Sequence, residues 1–290
     1  MIKKNIYYLN NLNKFDNFVR YNALKNEDNS RLTIEILKKD FEKDKISIQQ
    51  DREIPELFLI SKTQKSKILK SKWYQSGKLI FQDKASAAVV KVLDPKPNDY
   101  ICDMCAAPGN KTSLIAQFSN NQAKIIANEF RKDRSFSTKQ LLLELNVSNC
   151  HLINTDSINP PIRTTQQFDK ILLDAPCTGS GTLLTNPELK WRQNRGFLYQ
   201  NITLQEKLLH SALKLLKPEG ILVYSTCSLY PEEGEQQIIK ILEHLIPLDL
   251  PEWFSPSYKI KGKEIPGIGR LHPLIHRTQG FFIGKFKKRN

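Results

Sequence analysis

Long hydrophobic runs are missing from this 290-residue sequence, and their absence argues against a membrane protein. A membrane-spanning helix needs about 20 consecutive apolar residues, whereas the longest apolar runs here extend over only a few. The N-terminus, MIKKNIYYLNNLNKFDNF, also lacks the apolar core of a secretory signal peptide. We therefore expect a soluble, cytoplasmic protein that does not bind a membrane.

Cysteine is scarce and odd in number, with five residues in the whole chain. An odd number spread over a chain of this size is not typical of a disulfide framework and favours reduced thiols that are available for reaction. The sequence CDMC, from Cys102 to Cys105, has CxxC spacing but no second Cys/His pair at a suitable distance. We therefore predict no metal site.

Acidic residues are also few, since 44 Lys and Arg face 30 Asp and Glu, a net charge of +14. The excess is concentrated at the two ends: residues 1–84 carry +7 and residues 257–290 carry +8, whereas residues 85–256 carry −1. A neutral centre between two basic arms is what a catalytic domain that grips a polyanion requires. Lysines that serve only solubility are the alternative.

From residue 100 onward, short apolar runs alternate with amphipathic segments of helix length, a pattern typical of a parallel α/β sheet. The predicted strands are Tyr100–Met104, Lys124–Asn128, His151–Asn154, Lys170–Asp174 and Ile221–Ser225. The predicted helices are Lys111–Phe118, Lys132–Leu145, Thr203–Lys217 and Glu232–His244, and LKPEG (Leu216–Gly220) predicts a helix end and a turn. A doubly wound sheet binds its ligands at the carboxyl ends of its strands.

The N-terminal segment has a different pattern. FVRYNAL and KISIQQ are strand-like, and NSRLTIEILKKDFEKD predicts a helix. That helix would be capped by Asn29 or Ser30, with apolar residues at helical spacing: Leu32, Ile36, Leu37 and Phe41. We predict a small, basic, RNA-binding α+β domain over residues 1–80 and a catalytic domain over 81–290, with the boundary near Gly77–Asp83.

A Pro/Gly loop, CAAPGNKT (Cys105–Thr112), joins the first central strand to its helix. Small residues let backbone amides approach a ligand, and the following helix N-terminus adds a positive dipole. Glu129 follows the second strand, where a carboxylate can bind a ribose diol, and Asp156 follows the third, near an adenine edge. Each feature alone is also found in ordinary turns and helix caps, but three consecutive strand ends together predict a nucleoside site.

Two further strand ends carry thiols. Cys177 lies in DAPCTGSG after Ile171–Leu173, and Cys227 lies in STCSLYPEEGE after Ile221–Tyr224. Whereas Cys102 and Cys150 are expected to be buried small hydrophobic residues, these two lie on the ligand-binding edge. A thiolate is both a strong nucleophile and a good leaving group, which suits temporary addition to an electron-poor ring.

Five motifs make the chain resemble the Sun/Nop family of RNA cytosine-C5 methyltransferases, in particular its short archaeal tRNA methyltransferases. They are FQDKASAAVV, DMCAAPGNKT, DAPCTGSGT, YSTCS and RLHPLIHRTQGFFIGKF, within residues 80–290. The resemblance implies a Rossmann-like class I methyltransferase sheet with helices on both faces, S-adenosylmethionine as cofactor and a cytosine in structured RNA as substrate. A monomer is expected, and a protein partner that completes RNA recognition is left open.

The resemblance also implies roles for matching residues. Cys227 would attack carbon 6 of the cytosine, Cys177 would assist removal of the carbon-5 proton and release, and Asp174 would face the reacting centre. Lys111 would tune the thiol or contact the base. The residues implied in cofactor binding are Cys105, Ala106, Ala107, Pro108, Gly109, Asn110, Lys111, Glu129, Arg134, Asp156 and Asp174.

Asn110 departs from the family pattern, which commonly has a second Gly and so PGGK in place of PGNK. Asn tolerates a left-handed backbone better than other non-Gly residues, so we expect the loop to survive. If the second Gly is needed for close approach of the cofactor, binding would be weaker. This residue is the sequence support for an alternative function, a non-catalytic RNA-binding or assembly factor.

The substrate is predicted less sharply than the chemistry. Compactness and the likeness of the N-terminal segment to short members favour tRNA; rRNA is the alternative, and charge alone does not separate RNA from DNA. Trp191 and Arg192 are predicted either to line the base pocket or to pack a helix. Trp73 and Tyr74, in a lysine-rich stretch, are weaker candidates for stacking on RNA.

Overall fold

The computed structural model describes residues 17–25, 30–162 and 167–290. Asn29, one of the two predicted helix caps, and the first 16 residues of the predicted N-terminal domain lie outside the described residues. Within the described part of the chain, no helix is long and apolar enough to cross a membrane.

A small antiparallel sheet forms the N-terminal part, as the strand-like segments predict. Its strands are β1 (Asn17–Tyr21), β2 (Ile48–Gln50), β3 (Leu57–Ile60) and β4 (Leu79–Phe81), in the order β2-β3-β1-β4. Its helices are α1 (Ser30–Lys43), α2 (Lys65–Lys70) and α3 (Lys72–Gln75). Leu37 and Phe41 are buried as predicted, whereas Ile36 is exposed. Trp73 is also buried in this core and donates to Asp40, so its ring is not free to stack on RNA.

The large sheet has the predicted parallel centre. Its strands are β5 (Tyr100–Asp103), β6 (Lys124–Asn128), β7 (Cys150–Ile153), β8 (Phe168–Asp174), β9 (Leu216–Thr226), β10 (Leu245–Pro247), β11 (Ser255–Pro256), β12 (Ile268–Leu271) and β13 (Phe281–Lys288). The order is β11-β12-β13-β9-β8-β5-β6-β7, with β10 paired to β13. The pairs among β5 to β9 are parallel, and those that involve β10 to β13 are antiparallel.

The α-helices of this part connect or cover the strands. They are α4 (Lys84–Leu93), α5 (Asn110–Phe118), α6 (Lys132–Glu144), α7 (Arg195–Leu215), α8 (Glu235–Ile241) and α9 (Pro273–His276). Successive residues Ile171, Leu172 and Leu173 of β8 are all buried, as expected for a strand covered on both faces. Two apolar cores follow, one beneath α4 and α5 and the other beneath α7 and α8.

Three predictions about elements were wrong in detail. The predicted helix Glu232–His244 is divided at Gly234, because this residue has φ −124° and ψ −98°, outside the helical region. Helix α7 begins at Arg195, eight residues before the predicted start, with Asn194 as its cap. The segment predicted as a turn, Leu216–Gly220, is part of β9, since Leu216 pairs with Phe168.

The basic C-terminal segment is not an arm, which corrects the charge-based prediction. Strand β13 lies between β9 and β12, so the last residues complete the large sheet. Phe282 and Phe286 of β13 are buried, and the removal of these apolar side chains from water stabilises the strand in this position. Lys287 forms an ion pair with Glu219, and Lys288 donates to the Leu216 carbonyl. Both side chains are therefore attached to the large sheet.

Candidate active site

The carboxyl ends of five parallel strands lie along one edge of the sheet and bring most predicted site residues together. β5 leads into the Cys105–Gly109 loop, β6 into Glu129 and β7 into Asp156, while β8 ends at Asp174 and β9 precedes Cys227. Asp174 is aligned with Ser225 in the β8–β9 register, so the two Cys-bearing turns begin side by side. Parallel pairing therefore assembles one site from segments up to 122 residues apart in sequence.

The Cys105–Gly109 loop is a tight turn into α5. Its Ala106 amide donates to the Asn128 carbonyl at 2.8 Å, and the Gly109 amide donates to the Ala106 carbonyl at 2.8 Å. Gly109 has φ +105°, a conformation that side-chain-bearing residues rarely adopt. Asn110 is already the first residue of the helix. The left-handed position is therefore Gly109, so the tolerance of Asn for such a backbone is not needed.

Asp103, at the end of β5, was not among the predicted site residues although it lies in the DMCAAPGNKT motif. Its Oδ2 accepts a hydrogen bond from Thr112 Oγ at 2.7 Å, while its buried Oδ1 has no partner among the described residues. Burial raises the pKa of this carboxyl to about 6. The unpaired oxygen is a ready acceptor for a donor group of a bound ligand.

Glu129 and Arg134 contact each other, and Arg134 also contacts the Cys105–Gly109 loop. The Glu129 carboxylate is buried, accepts from the Arg131 amide at 2.9 Å and lies 3.5 Å from an Arg134 guanidinium nitrogen. A second Arg134 nitrogen donates to the Ala107 carbonyl at 2.9 Å. Arg134 therefore connects the predicted ribose-binding carboxylate to the predicted methionine-binding loop.

Asp156 is exposed on the same edge, and its Oδ1 accepts from the Ile158 amide at 2.9 Å. This local turn is the ordinary structural role that the sequence left open for it. Its contact with an adenine ring remains a prediction.

The two predicted catalytic thiols face each other. Cys177 Sγ and Cys227 Sγ are 3.2 Å apart, and neither residue is in a disulfide. The hydrogen bond to Cys227, together with burial, raises the pKa of Cys177 well above its usual value. By contrast, burial raises the pKa of Cys150 to about 12 and that of Cys102 still further. Cys102 is buried as predicted, whereas Cys150 is only partly buried.

Lys111 and Asp174 form an ion pair beside the thiols. The Lys111 ammonium lies 2.6 Å from one Asp174 oxygen, and Ser225 Oγ donates to the other at 2.6 Å. Burial disfavours the Lys111 charge, but the carboxylate of Asp174 outweighs it, so the pKa of Lys111 is raised. Lys111 also interacts electrostatically with Cys227, which places a fixed positive charge near this thiol.

The turns that carry the thiols are fixed by contacts that sequence patterns did not reveal. Arg270 and Glu235 form a fully buried pair at 2.6 Å, and Arg270 also donates to the Ser228 carbonyl, next to Cys227. Gly181, in the Cys177 loop, is so close to Gly280 that a side chain there would collide with the Gly280 backbone. The motifs near residues 180, 228, 270 and 280 therefore meet in one cluster.

Trp191 is 90% exposed, which excludes one of its two predicted roles, whereas the other, lining the base pocket, stays a prediction. It lies in a 3-10 helix, Pro187–Arg192, that follows the Cys177 loop. Gln193 donates to the Thr178 carbonyl at 2.9 Å, so this segment is attached to the loop. Trp191 does not pack a helix, and its ring is accessible close to the site.

A doubly wound sheet of this order, with a helix-capping loop after β5 and carboxylates at the next strand ends, defines a Rossmann-like class I methyltransferase fold, as predicted. The facing thiols distinguish this site from a simple cofactor pocket. The chain belongs to the 16S rRNA methyltransferase RsmB/F family, whose model matches residues 90–287. This confirms the resemblance to the Sun/Nop family.

Individual relatives agree with this assignment. The chain is 35% identical over 227 residues to a tRNA (cytosine(49)-C(5))-methyltransferase from Pyrococcus abyssi, covering 74% of this chain and 72% of the relative. It is 35% identical over 221 residues to a probable ribosomal RNA small subunit methyltransferase B from Synechocystis sp., covering 74% of this chain but only 49% of the relative. The chain thus spans about half the length of this second relative.

A solved structure extends the likeness to the N-terminal sheet. The structure of a methyltransferase homologue from Pyrococcus horikoshii superimposes with a TM-score of 0.79 at 33% sequence identity. The match covers 94% of this chain and 87% of that chain. It therefore includes more of the N-terminal part than the family model, which begins at residue 90.

Proposed function

We propose that the protein is an RNA cytosine-C5 methyltransferase that transfers a methyl group from S-adenosylmethionine through a covalent Cys–cytosine intermediate. The observation that carries the proposal is the 3.2 Å separation of Cys177 and Cys227, with Lys111 and Asp174 beside them. One thiol alone suffices to attack a ring, but an enzyme must also remove a proton and release the product. Two facing thiols supply both groups.

Cys227 acts as the nucleophile. Its thiolate forms a bond to carbon 6 of the cytosine, and the electron pair of the 5,6 double bond makes carbon 5 nucleophilic. Bound S-adenosylmethionine supplies an electrophilic methyl group at that carbon. Cys177 then assists removal of the carbon-5 proton, whose electron pair re-forms the double bond as the carbon–sulfur bond breaks. Cys227 leaves as a thiolate, ready for the next cycle.

The residues at the strand ends fit S-adenosylmethionine. The α5 N-terminus and the Cys105–Gly109 loop suit the charged methionine end, and the unpaired Asp103 Oδ1 can accept from its ammonium group. Glu129 is a buried carboxylate able to hold a ribose diol, and Asp156 lies beyond it for the adenine. Arg134 keeps the loop and Glu129 at a fixed spacing.

Transfer RNA is the proposed substrate. The chain covers 72% of the Pyrococcus abyssi tRNA methyltransferase, but 49% of the Synechocystis rRNA methyltransferase and 28% of a mouse 28S rRNA cytosine-C5 methyltransferase. The helices and turns around the N-terminal sheet carry exposed lysines suited to phosphates. Because a stacked base is inaccessible to a buried thiol, the target cytosine must lie in a loop or be flipped out. Ribosomal RNA is the competing substrate.

Trapping of covalent adducts tests the proposal. Wild type, Cys177→Ala, Cys227→Ala and the control Cys150→Ala are incubated with total RNA and S-adenosylmethionine, and denaturant-resistant protein–RNA adducts are counted. We expect adducts to accumulate in Cys177→Ala, because attack proceeds while release stalls, and none in Cys227→Ala. Sequencing the trapped RNA then distinguishes tRNA from rRNA.

The control should behave as wild type, with turnover and without accumulated adduct. Adducts in Cys227→Ala, or equal behaviour of the two active-site variants, would contradict the division of roles. If no variant forms an adduct and the wild type does not methylate RNA, the result favours an RNA-binding factor on the same fold or a missing protein partner. Parallel reactions with DNA of matched sequence test whether DNA is methylated as well as RNA.

A further inference from the structure

Glu233 lies directly beneath the Cys177 turn, although no sequence pattern assigned it a role. Its carboxylate is fully buried and accepts from the Thr178 amide at 2.9 Å, from the Thr178 hydroxyl, and from Gln205 Nε2 at 3.0 Å. Gln205 Nε2 also donates to the Pro176 carbonyl at 2.8 Å. The peptide groups on both sides of Cys177 are therefore fixed by one buried network.

The Glu233 carboxylate brings a negative charge into this network, and within the described part of the chain no cation forms an ion pair with it. Among the described residues, no Lys, Arg or His nitrogen lies within ion-pair distance of Glu233. A buried carboxylate without a counterion costs several kcal/mol unless hydrogen bonds compensate it, and here they come from the Cys177 turn and from Gln205. A neutral glutamine side chain in place of Glu233 could accept only some of these hydrogen bonds, because a carboxamide has one acceptor oxygen.

The two thiols consequently have unequal surroundings. Cys177 is close to Cys227, Glu233 and Tyr224, and the Glu233 charge opposes ionisation of Cys177. Cys227 has the Lys111 ammonium nearby instead. The Glu233 charge therefore favours the arrangement in which a proton between the two sulfurs, 3.2 Å apart, is held on Cys177.

We propose that Glu233 is a positioning residue that fixes the Cys177 turn and keeps Cys177 protonated in the resting enzyme, which leaves Cys227 as the attacking thiol. The inference rests on the proposed function in naming Cys227 as the attacking group. Once Cys227 has bonded to carbon 6 it no longer accepts a hydrogen bond from Cys177 as a thiolate, so the largest cause of the raised Cys177 pKa disappears. Cys177 then loses its proton to water and becomes the base for the proton on carbon 5.

Alkylation of the intact protein tests this without RNA or cofactor, so the result does not depend on methyltransferase activity. Initial rates of iodoacetamide labelling at each cysteine are measured by peptide mass spectrometry at one pH of about 8.5, where an unperturbed thiol is about half ionised. In the wild type, Cys227 should react about tenfold faster than Cys177. In Glu233→Gln, the labelling rate of Cys177 should rise about tenfold, because loss of the Glu233 charge increases its thiolate population.

Glu232→Gln is the matched control, since it removes the same charge from the adjacent residue and should leave both labelling rates unchanged. Gln205→Met removes a donor but keeps the Glu233 charge, so the labelling of Cys177 should remain slow. Faster labelling of Cys177 than of Cys227 in the wild type would overturn the inference, and this result requires no variant to fold. So would an unchanged Cys177 labelling rate in a Glu233→Gln protein with wild-type thermal stability.

Discussion

Single residues in this site derive their chemistry from the few charges around them. The Lys111 ammonium is 2.6 Å from Asp174 and close to Cys227, whereas the Glu233 carboxylate lies on the side of Cys177. In a partly buried site such charges act with little screening by solvent. Two chemically identical thiols thus have different electrostatic surroundings, on which the different roles proposed for them depend.

Asp103 gives a prediction at the residue scale. Because burial raises the pKa of its carboxyl to about 6 in the folded protein, the folded state retains this proton at pH values where the unfolded chain has released it. The Asp103 contribution to the unfolding free energy is therefore present below about pH 4 and is lost as pH rises to about 6, a change on the order of 3 kcal/mol.

Urea unfolding of the cofactor-free protein at a series of pH values checks this. The Asp103→Asn variant should lose the decrease in stability between about pH 4 and about pH 6 that this carboxyl causes. Asp249→Asn, at an exposed position, serves as the control and should retain the wild-type profile. An unchanged profile in Asp103→Asn would show that this carboxyl is ionised throughout the range.

At the scale of a secondary-structure element, the start of α5 sets the conformation of the Cys105–Gly109 loop. Gly109 caps the helix with φ +105°, and an added side-chain carbon would lie 3.2 Å from Thr138 of α6. The first helical carbonyls are also held from the N-terminal sheet, since the buried Arg20 donates to the Asn110 carbonyl at 3.1 Å and to Ser113 Oγ at 2.8 Å. The loop is therefore fixed by backbone geometry and by the neighbouring domain.

We expect Gly109→Ala and Asn110→Gly to differ in effect. Gly109→Ala forces a left-handed backbone on Ala and crowds Thr138, so it should lower stability by about 1–3 kcal/mol and weaken S-adenosylmethionine binding at least tenfold. Asn110→Gly restores the residue common in the family but places Gly in a helix, so it should cost less than about 1 kcal/mol and change affinity less than about twofold.

Isothermal titration calorimetry and urea unfolding measure the two quantities. A large gain in affinity on Asn110→Gly would indicate that Asn110 obstructs the cofactor. Gly109→Ala behaving as wild type would mean that the loop adopts a different backbone from the one described.

For the whole molecule, the distribution of charge gives a prediction about RNA binding. The basic C-terminal segment is built into the sheet, so the basic N-terminal part must supply more of the phosphate contacts than two equal arms would. Four exposed lysines lie on and before α2: Lys62, Lys65, Lys67 and Lys70. They are a compact set of positive charges on the small domain.

Replacing these four lysines with Gln should weaken tRNA binding and reduce its salt dependence. Each phosphate contact contributes about 0.7–0.9 to the slope of log K against log salt, so the slope should fall by up to about 3. The control replaces four exposed lysines on and near α7 and α8: Lys207, Lys214, Lys217 and Lys240. Filter binding over a salt series measures both slopes, and equal slopes for the two variants would exclude the α2 surface as the main RNA contact.

Local sequence patterns determined the alternation of strands and helices, the Pro/Gly loop after β5 and the placement of two thiols at strand ends, because these depend on neighbouring residues. Lys124–Asn128 was predicted with the observed bounds. The family motifs added the class I fold and the roles predicted for Cys177 and Cys227.

Only the tertiary structure decided the 3.2 Å approach of Cys177 to Cys227, the Lys111–Asp174 pair, the Glu233 network and the insertion of β13. The Cys177–Cys227, Lys111–Asp174 and Thr178–Glu233 contacts join residues 50 or more positions apart in sequence. Their geometry results from the packing of whole strands and helices, which is the sum of many small burial energies and has no local signature in the chain.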